Sequence, residues 1–139
     1  MKITLMRIER NTTEGTDVFD LTEDVLGVLL ESGVLDGLLT VFTPGSTAAI
    51  TTIEYESGVI ADLRSAIERM APRDLHYEHD ARWGDGNGYA HVRSALLGPS
   101  ISVPVEAGAA RLGTWQQIVL CDFDNRPRKR EVLVQVVGE

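Results

Sequence analysis

Apolar positions change their period several times along the chain, and each change marks an element. Residues 2–9 (KITLMRIE) are strand-like, but Ile3 and Leu5 share one face while Met6 and Ile8 share the other, a switch that predicts a β-bulge midway. Leu21, Val25, Val28 and Leu29 then recur at helical spacing, with Asp20 and Glu23 arranged as a capping box and Gly33 at the far end. Two strand-like runs follow, 37–43 (GLLTVFT) and 47–54 (TAAITTIE). They are joined by Pro44-Gly45-Ser46, and that reversal predicts that they pair. Val59, Ile60, Leu63, Ala66, Ile67 and Met70 return to helical spacing after Ser57, and Pro72 stops that helix. A glycine-rich polar segment leads into a short predicted helix over 89–97 (YAHVRSALL). Three further runs, SISVPV, GTWQQIVLCDF and EVLVQVVG, read as strands.

Strands interspersed with a few helices, without repeat or linker, predict an α+β fold in one domain spanning 1–139. A hydrophobic fraction of 43% and a charged fraction of 24% suit a globular core. The net charge of -8 argues against a nucleic-acid partner, because affinity for a phosphate backbone comes mainly from clustered Lys and Arg. One basic cluster exists, Arg126, Arg128, Lys129 and Arg130. It follows Asp122, Asp124 and Asn125, so it reads as a solvated turn of mixed charge. Cys121 is the single cysteine, which excludes an internal disulfide and reads as packing. The chain shows neither a signal-peptide pattern nor a run near the ~20 apolar residues of a membrane span, so a cytoplasmic protein without a membrane partner is expected.

Chemistry concentrates in HDARWGDGNGYAH, residues 79–91. A dinucleotide turn, a phosphate loop and a nucleophile elbow are absent, and a calcium loop starting at Asp85 fails because Leu96 stands at its twelfth position. His79, Asp80, Asp85, Asn87 and His91 remain. Imidazole and carboxylate are the usual ligands of a divalent ion, and His79 in a loop can meet His91 on a helix if the glycines bend the segment sharply. The other reading is a capped loop whose Asp and Asn bond backbone amides. Ser46 and Thr47 have the same two readings, capping backbone groups or binding an anion. Glu54, Asp62 and His76 read as surface residues and Trp115 as core.

Five segments in order, STAAITTIE (46–54), YEHD (77–80), DGNGYAH (85–91), SALLGPSISVPV (94–105) and LGTWQQIVLCDFD (112–124), resemble the YjbQ-like family of secondary thiamine-phosphate synthases. The resemblance implies a homotrimer of α+β subunits, with β-sandwich-like sheets, two or three helices and a shared polar pocket near the subunit interfaces. It implies a divalent metal, zinc or magnesium, held by His79 and His91. It gives catalytic roles to His91, Glu54 and Asp85, and substrate contacts to Ser46, Thr47, Asn87, Arg93, Ser94, Thr114, Trp115 and Gln116. Trp83, Tyr89 or Trp115 would hold aromatic rings. The implied reaction joins hydroxymethylpyrimidine diphosphate to thiazole phosphate, so the implied partner is a small phosphorylated molecule. Gly45 departs from the pattern, because many members carry histidine before the STA element. A glycine side chain cannot coordinate metal, so the site either holds an ion with help from Asp85, Glu54 or water, or is a metal-free anion pocket. A non-enzymatic protein that binds a small anion or metabolite there is the alternative reading.

Overall fold

The computed structural model describes the whole chain, Met1–Glu139. Its elements, in order, are β1 (Lys2–Asn11), β2 (Asp17–Asp20), α1 (Thr22–Ser32), β3 (Gly37–Phe42), β4 (Ala48–Ile53), α2 (Ser57–Met70), α3 (Glu78–Trp83), α4 (Gly88–Leu97), β5 (Ser100–Glu106), β6 (Ala109–Ala110), β7 (Gln117–Asp122) and β8 (Lys129–Gly138). One antiparallel sheet has the order β1-β8-β3-β5-β6 and the other β2-β7-β4.

Strand alternation explains the layers. Leu39 and Val41 of β3, Val103 and Val105 of β5, and Val132, Val134 and Val136 of β8 face Ile50, Ile118 and Leu120 of the smaller sheet. Val25, Val28 and Leu29 of α1 close this core. The opposite face of the smaller sheet supplies Ala49, Val119 and Cys121 to a second core under Ile60 and Ile67 of α2 and Tyr89 and Ala90 of α4. The smaller sheet is therefore buried on both faces, which is why its central strand β7 reads as an unbroken apolar run. No helix is long and apolar enough to cross a membrane.

Several sequence expectations need correction. β1 has no bulge, since it pairs with β8 residue for residue from Lys2↔Gly138 to Asn11↔Lys129. Met6 and Ile8 point to the core, while Ile3 and Leu5 lie on the outer face, 70% and 45% exposed. The pattern that mimicked a bulge is thus an apolar outer surface, continued by Leu38 and Phe42. β3 and β4 do not pair. β3 lies between β8 and β5, whereas β4 pairs with β7, and the Pro44–Thr47 turn carries the chain from one sheet to the other. Asp20 forms no capping box, because its Oδ1 accepts from Thr22 N at 3.0 Å and Leu21 is the N-cap. Four helices replace two or three: α3 lies inside the segment whose glycines and polar residues mimic a loop.

Candidate functional site

The segment from Tyr77 to His91 is a helix, a tight turn and a second helix. Gly84, in the left-handed region at φ 73°, ends α3, and its N–H donates to Asp80 O. Gly86 repeats that conformation at φ 69°. Asp80 Oδ1 then accepts from Gly88 N at 2.8 Å and ties the first turn of α4 to α3. A Cβ at Gly88 would lie 2.6 Å from Tyr77 Cβ, so the helices approach this closely only because residue 88 has no side chain. Both histidines are therefore on helices, not one in a loop, and their ring centroids are 4.4 Å apart.

These rings border a cavity of about 580 Å³. Gly45, Ser46 and Thr47 from the inter-sheet turn form one side. His79, Trp83, Asp85, Asn87 and His91 form another, and Arg126 and Arg128 from the β7–β8 connection with Arg130 of β8 form the third. Arg128 and Arg130 correct the reading of a solvated turn, which holds for exposed Arg126 and Lys129. Arg130 is buried, donating from Nε to Asp122 Oδ1 at 2.7 Å and from Nη2 to Thr47 Oγ1. Arg128 donates from Nε to Asp124 Oδ2 at 2.9 Å. Asp124 is the hub, accepting also from Thr47 Oγ1 at 3.0 Å, Asn87 Nδ2 at 3.3 Å and Asn125 N at 2.8 Å.

Each titration in this network has a cause. Burial pushes Asp124 upward, but the hydrogen bonds from Thr47, Asn87, Asn125 and Arg128 outweigh it and hold the carboxyl below its ordinary range. Asp122 has fewer donors, and burial pushes it up to about 6 against the pull of Arg130. Burial, and then the neighbouring His79, lower His91 in spite of Asp124, Asp85 and Asp80. Neutral imidazole is thus the form the fold prefers. Its contribution to stability is complete above the ordinary histidine value and is lost as pH falls through the lowered one. The His91 C2–H proton signal is expected to titrate with a midpoint below 6.5, and a midpoint above that value would contradict this account.

A metal ion has one set of donors that fits. The ligand atoms of His79, Asp80 and Asp85 lie within 4.8 Å of one another. His79 Nδ1 is buried without a hydrogen bond, 3.4 Å from Asp85 Oδ1 and 3.5 Å from Asp80 Oδ1. His91 stands beside this trio and not within it. The space beside Gly45 is taken by protein, because a Cβ there would meet Arg130 Nη1 at 3.0 Å.

The structure thus brings Ser46, Thr47, His79, Asp85, Asn87 and His91 together. Ser94 lies under the site, where its Oγ donates to Ala48 O. Arg93 lies outside the cavity. Its guanidinium bonds Ala71 O, Thr16 Oγ1 and Glu68 and stacks over buried Tyr89 at 4.8 Å. Glu54, Thr114 and Trp115 border a separate cavity beyond the far end of β4, with Asp20, Tyr55, Glu56 and Gln117. Gln116, in the turn before β7, accepts from Gly113 N and donates to Thr52 Oγ1. Trp115 is 71% exposed, not core, because it sits in the turn before β7.

The residues that sequence reasoning missed are Asp122, Asp124, Arg126, Arg128 and Arg130. A signal was available for Arg130, which continues the alternate-residue burial of Val132, Val134 and Val136 along β8.

Fold and site together define an α+β sandwich with a histidine- and arginine-lined pocket at the edge of its helical layer. A model of the family described as "UPF0047 protein YjbQ-like" matches residues 6–139, and the chain belongs to that family. It is 39% identical over 139 residues to a UPF0047 protein of Methanothermobacter thermautotrophicus, covering 100% of this chain and 95% of the relative. It is 34% identical over 136 residues to the UPF0047 protein YugU of Bacillus subtilis, covering 96% and 99%. Among solved structures, a protein of unknown function from Sulfolobus solfataricus superposes with a TM-score of 0.89 at 27% identity, covering 99% of both chains. An uncharacterised family member from Clostridium acetobutylicum superposes with a TM-score of 0.87 at 33% identity, covering 95% of this chain and 99% of that one.

Proposed function

We propose that the chain binds a small phosphorylated molecule in the pocket between α3, α4 and the β7–β8 connection, and that it acts there as a thiamine-phosphate synthase-type transferase. The observation that supports this reading is the convergence of two imidazoles and three guanidinium groups on one cavity in a chain of net charge -8. In the proposed reaction the thiazole nitrogen forms a C–N bond to the pyrimidine methylene as the C–O bond to pyrophosphate breaks. The attacking nitrogen carries no proton, so no general base is required, and the catalytic demand is to stabilise the departing pyrophosphate. Arg126, Arg128 and Arg130 meet that demand with charge-assisted donors. Trp83, 69% exposed at the rim, offers a face for an aromatic ring. A divalent ion held by His79, Asp80 and Asp85 would add positive charge on the opposite side when bound.

The test is formation of thiamine phosphate from both substrates with Mg2+. Product above that of an Arg128→Gln control supports the transferase, and none above it removes the claim. A second reading, a non-enzymatic binder of a small anion, is favoured by the guanidinium that occupies the space beside Gly45. Metal content separates the two in part. Stoichiometric metal that falls in His79→Ala supports a metal-assisted site, and its absence from well-supplied protein supports the binder.

The trimer belongs to the same proposal. Ile3, Leu5, Leu38 and Phe42 leave the outer face of the larger sheet apolar, and contact with neighbouring copies would cover it. The particle in solution is expected to have three chain masses; a monomer would contradict this.

A further inference from the structure

The guanidinium of Arg130 is fixed but not fully used. Nε bonds Asp122, Nη2 bonds Thr47 and lies 3.8 Å from Asp124, and the side chain is only 10% exposed. Nη1 makes no hydrogen bond and is not among the sealed, unpartnered atoms, so it still reaches solvent from the pocket wall. It lies 3.0 Å from where a Cβ of residue 45 would be. A side chain at 45 would press on a group that two buried partners hold, and Arg130 could keep this position only by giving way. Gly45, Ser46 and Thr47 line the same wall, and their backbone N–H groups bond no acceptor in the chain. Unused N–H donors beside a fixed, desolvated guanidinium are the usual chemistry of oxyanion recognition.

We infer that Gly45 admits Arg130 to the pocket, and that Arg130 Nη1, the Gly45–Thr47 turn and Arg128 at the rim form a subsite for one phosphate group that works without a metal ion. This deepens the reading above by giving the phosphorylated molecule a place for one phosphate, and it rests on that reading only for the remainder of the ligand. Its recognition needs no general base and no change of protonation. The subsite would take a phosphate monoester, a terminal phosphate of a diphosphate, or inorganic phosphate itself.

Inorganic phosphate titrated calorimetrically into the full chain, with EDTA and at constant ionic strength, tests the inference. Saturable binding to one site per chain is expected. Gly45→Ala, shown to be folded by its circular dichroism, is expected to bind about tenfold or more weakly, the usual effect of losing one charge-assisted hydrogen bond. Gly27→Ala, where a Cβ meets nothing within 4 Å, is the control and keeps the wild-type affinity. Should Gly45→Ala not fold, Arg128→Gln replaces it, with the same loss expected. Absence of saturable binding in wild-type protein, or binding that needs a divalent ion, would overturn the subsite. So would wild-type affinity in the folded variant. Phosphate binding without any thiamine phosphate formation keeps the subsite and removes only the transferase. Wild-type phosphate affinity in a Gly45→Ala protein that still makes thiamine phosphate does the reverse.

Discussion

Asp124→Ala is expected to lose about 3–5 kcal/mol of folding stability, the usual cost of removing one partner from a buried ion pair. The carboxylate is fully enclosed and accepts from Thr47, Asn87, Asn125 and Arg128. Alanine would leave those donors unmet and leave Arg130, itself buried, with Asp122 as its remaining acid. Because the folded pKa of Asp124 is lowered, its stabilising contribution is present above the unfolded value near 3.8 and is lost as pH falls through the folded one. The advantage of wild type over Asp124→Asn should therefore shrink on acidification through that window. Urea unfolding at neutral pH measures the alanine effect as a shift in midpoint at constant slope. A loss under about 1 kcal/mol, the scale of an exposed pair, would mean that Asp124 does not organise the site.

Gly88→Ala should cost about 1–3 kcal/mol, the range for forcing extra volume into a packed site. The new methyl would lie 2.6 Å from Tyr77 Cβ and 3.0 Å from Asp80 Oδ1. Tyr77 has little room to yield, since its hydroxyl donates to Pro72 O at 2.7 Å. The clash would be relieved by moving α3 away from α4, and that motion separates His79 from His91. Ligand affinity should fall together with stability. A variant with wild-type stability and unchanged ligand affinity would show that the close helix contact has no part in building the pocket.

How far the sequence revealed this molecule depended on whether a signal was local. The 3.6-residue spacing of Ile60, Leu63 and Ile67 located α2 because that helix faces one core with one stripe. Pairing was not legible in the same way. Pro44-Gly45-Ser46 promises a reversal, but a turn between paired strands and a turn between facing sheets use the same residues, and only the partners β7 and β8, some eighty residues later, decide between them. His79, Asp85, Asn87 and His91 were visible because their types are unusual in one short run. The arginines were hidden by their own composition. Mixed charge after a strand is normally solvated, and what overrides that here is a pair of buried aspartates, of which Asp122 takes Arg130 and Asp124 is held by Thr47 and Asn87 elsewhere in the chain. Glu54 and Trp115 were grouped with the pocket by family pattern, although within one chain they lie beyond the opposite end of β4.

The chain has three histidines, and they provide the most direct test of the pocket itself. His79 and His91 line it, whereas His76 lies outside on the surface with its side chain 71% exposed. Proton NMR of the imidazole C2–H signals during a titration with inorganic pyrophosphate at fixed pH should move the His79 and His91 resonances to a common saturation and leave His76 unmoved. Three signals that shift together without saturating, or a His79–His91 pair that does not respond, would contradict the assignment of this cavity as the ligand site.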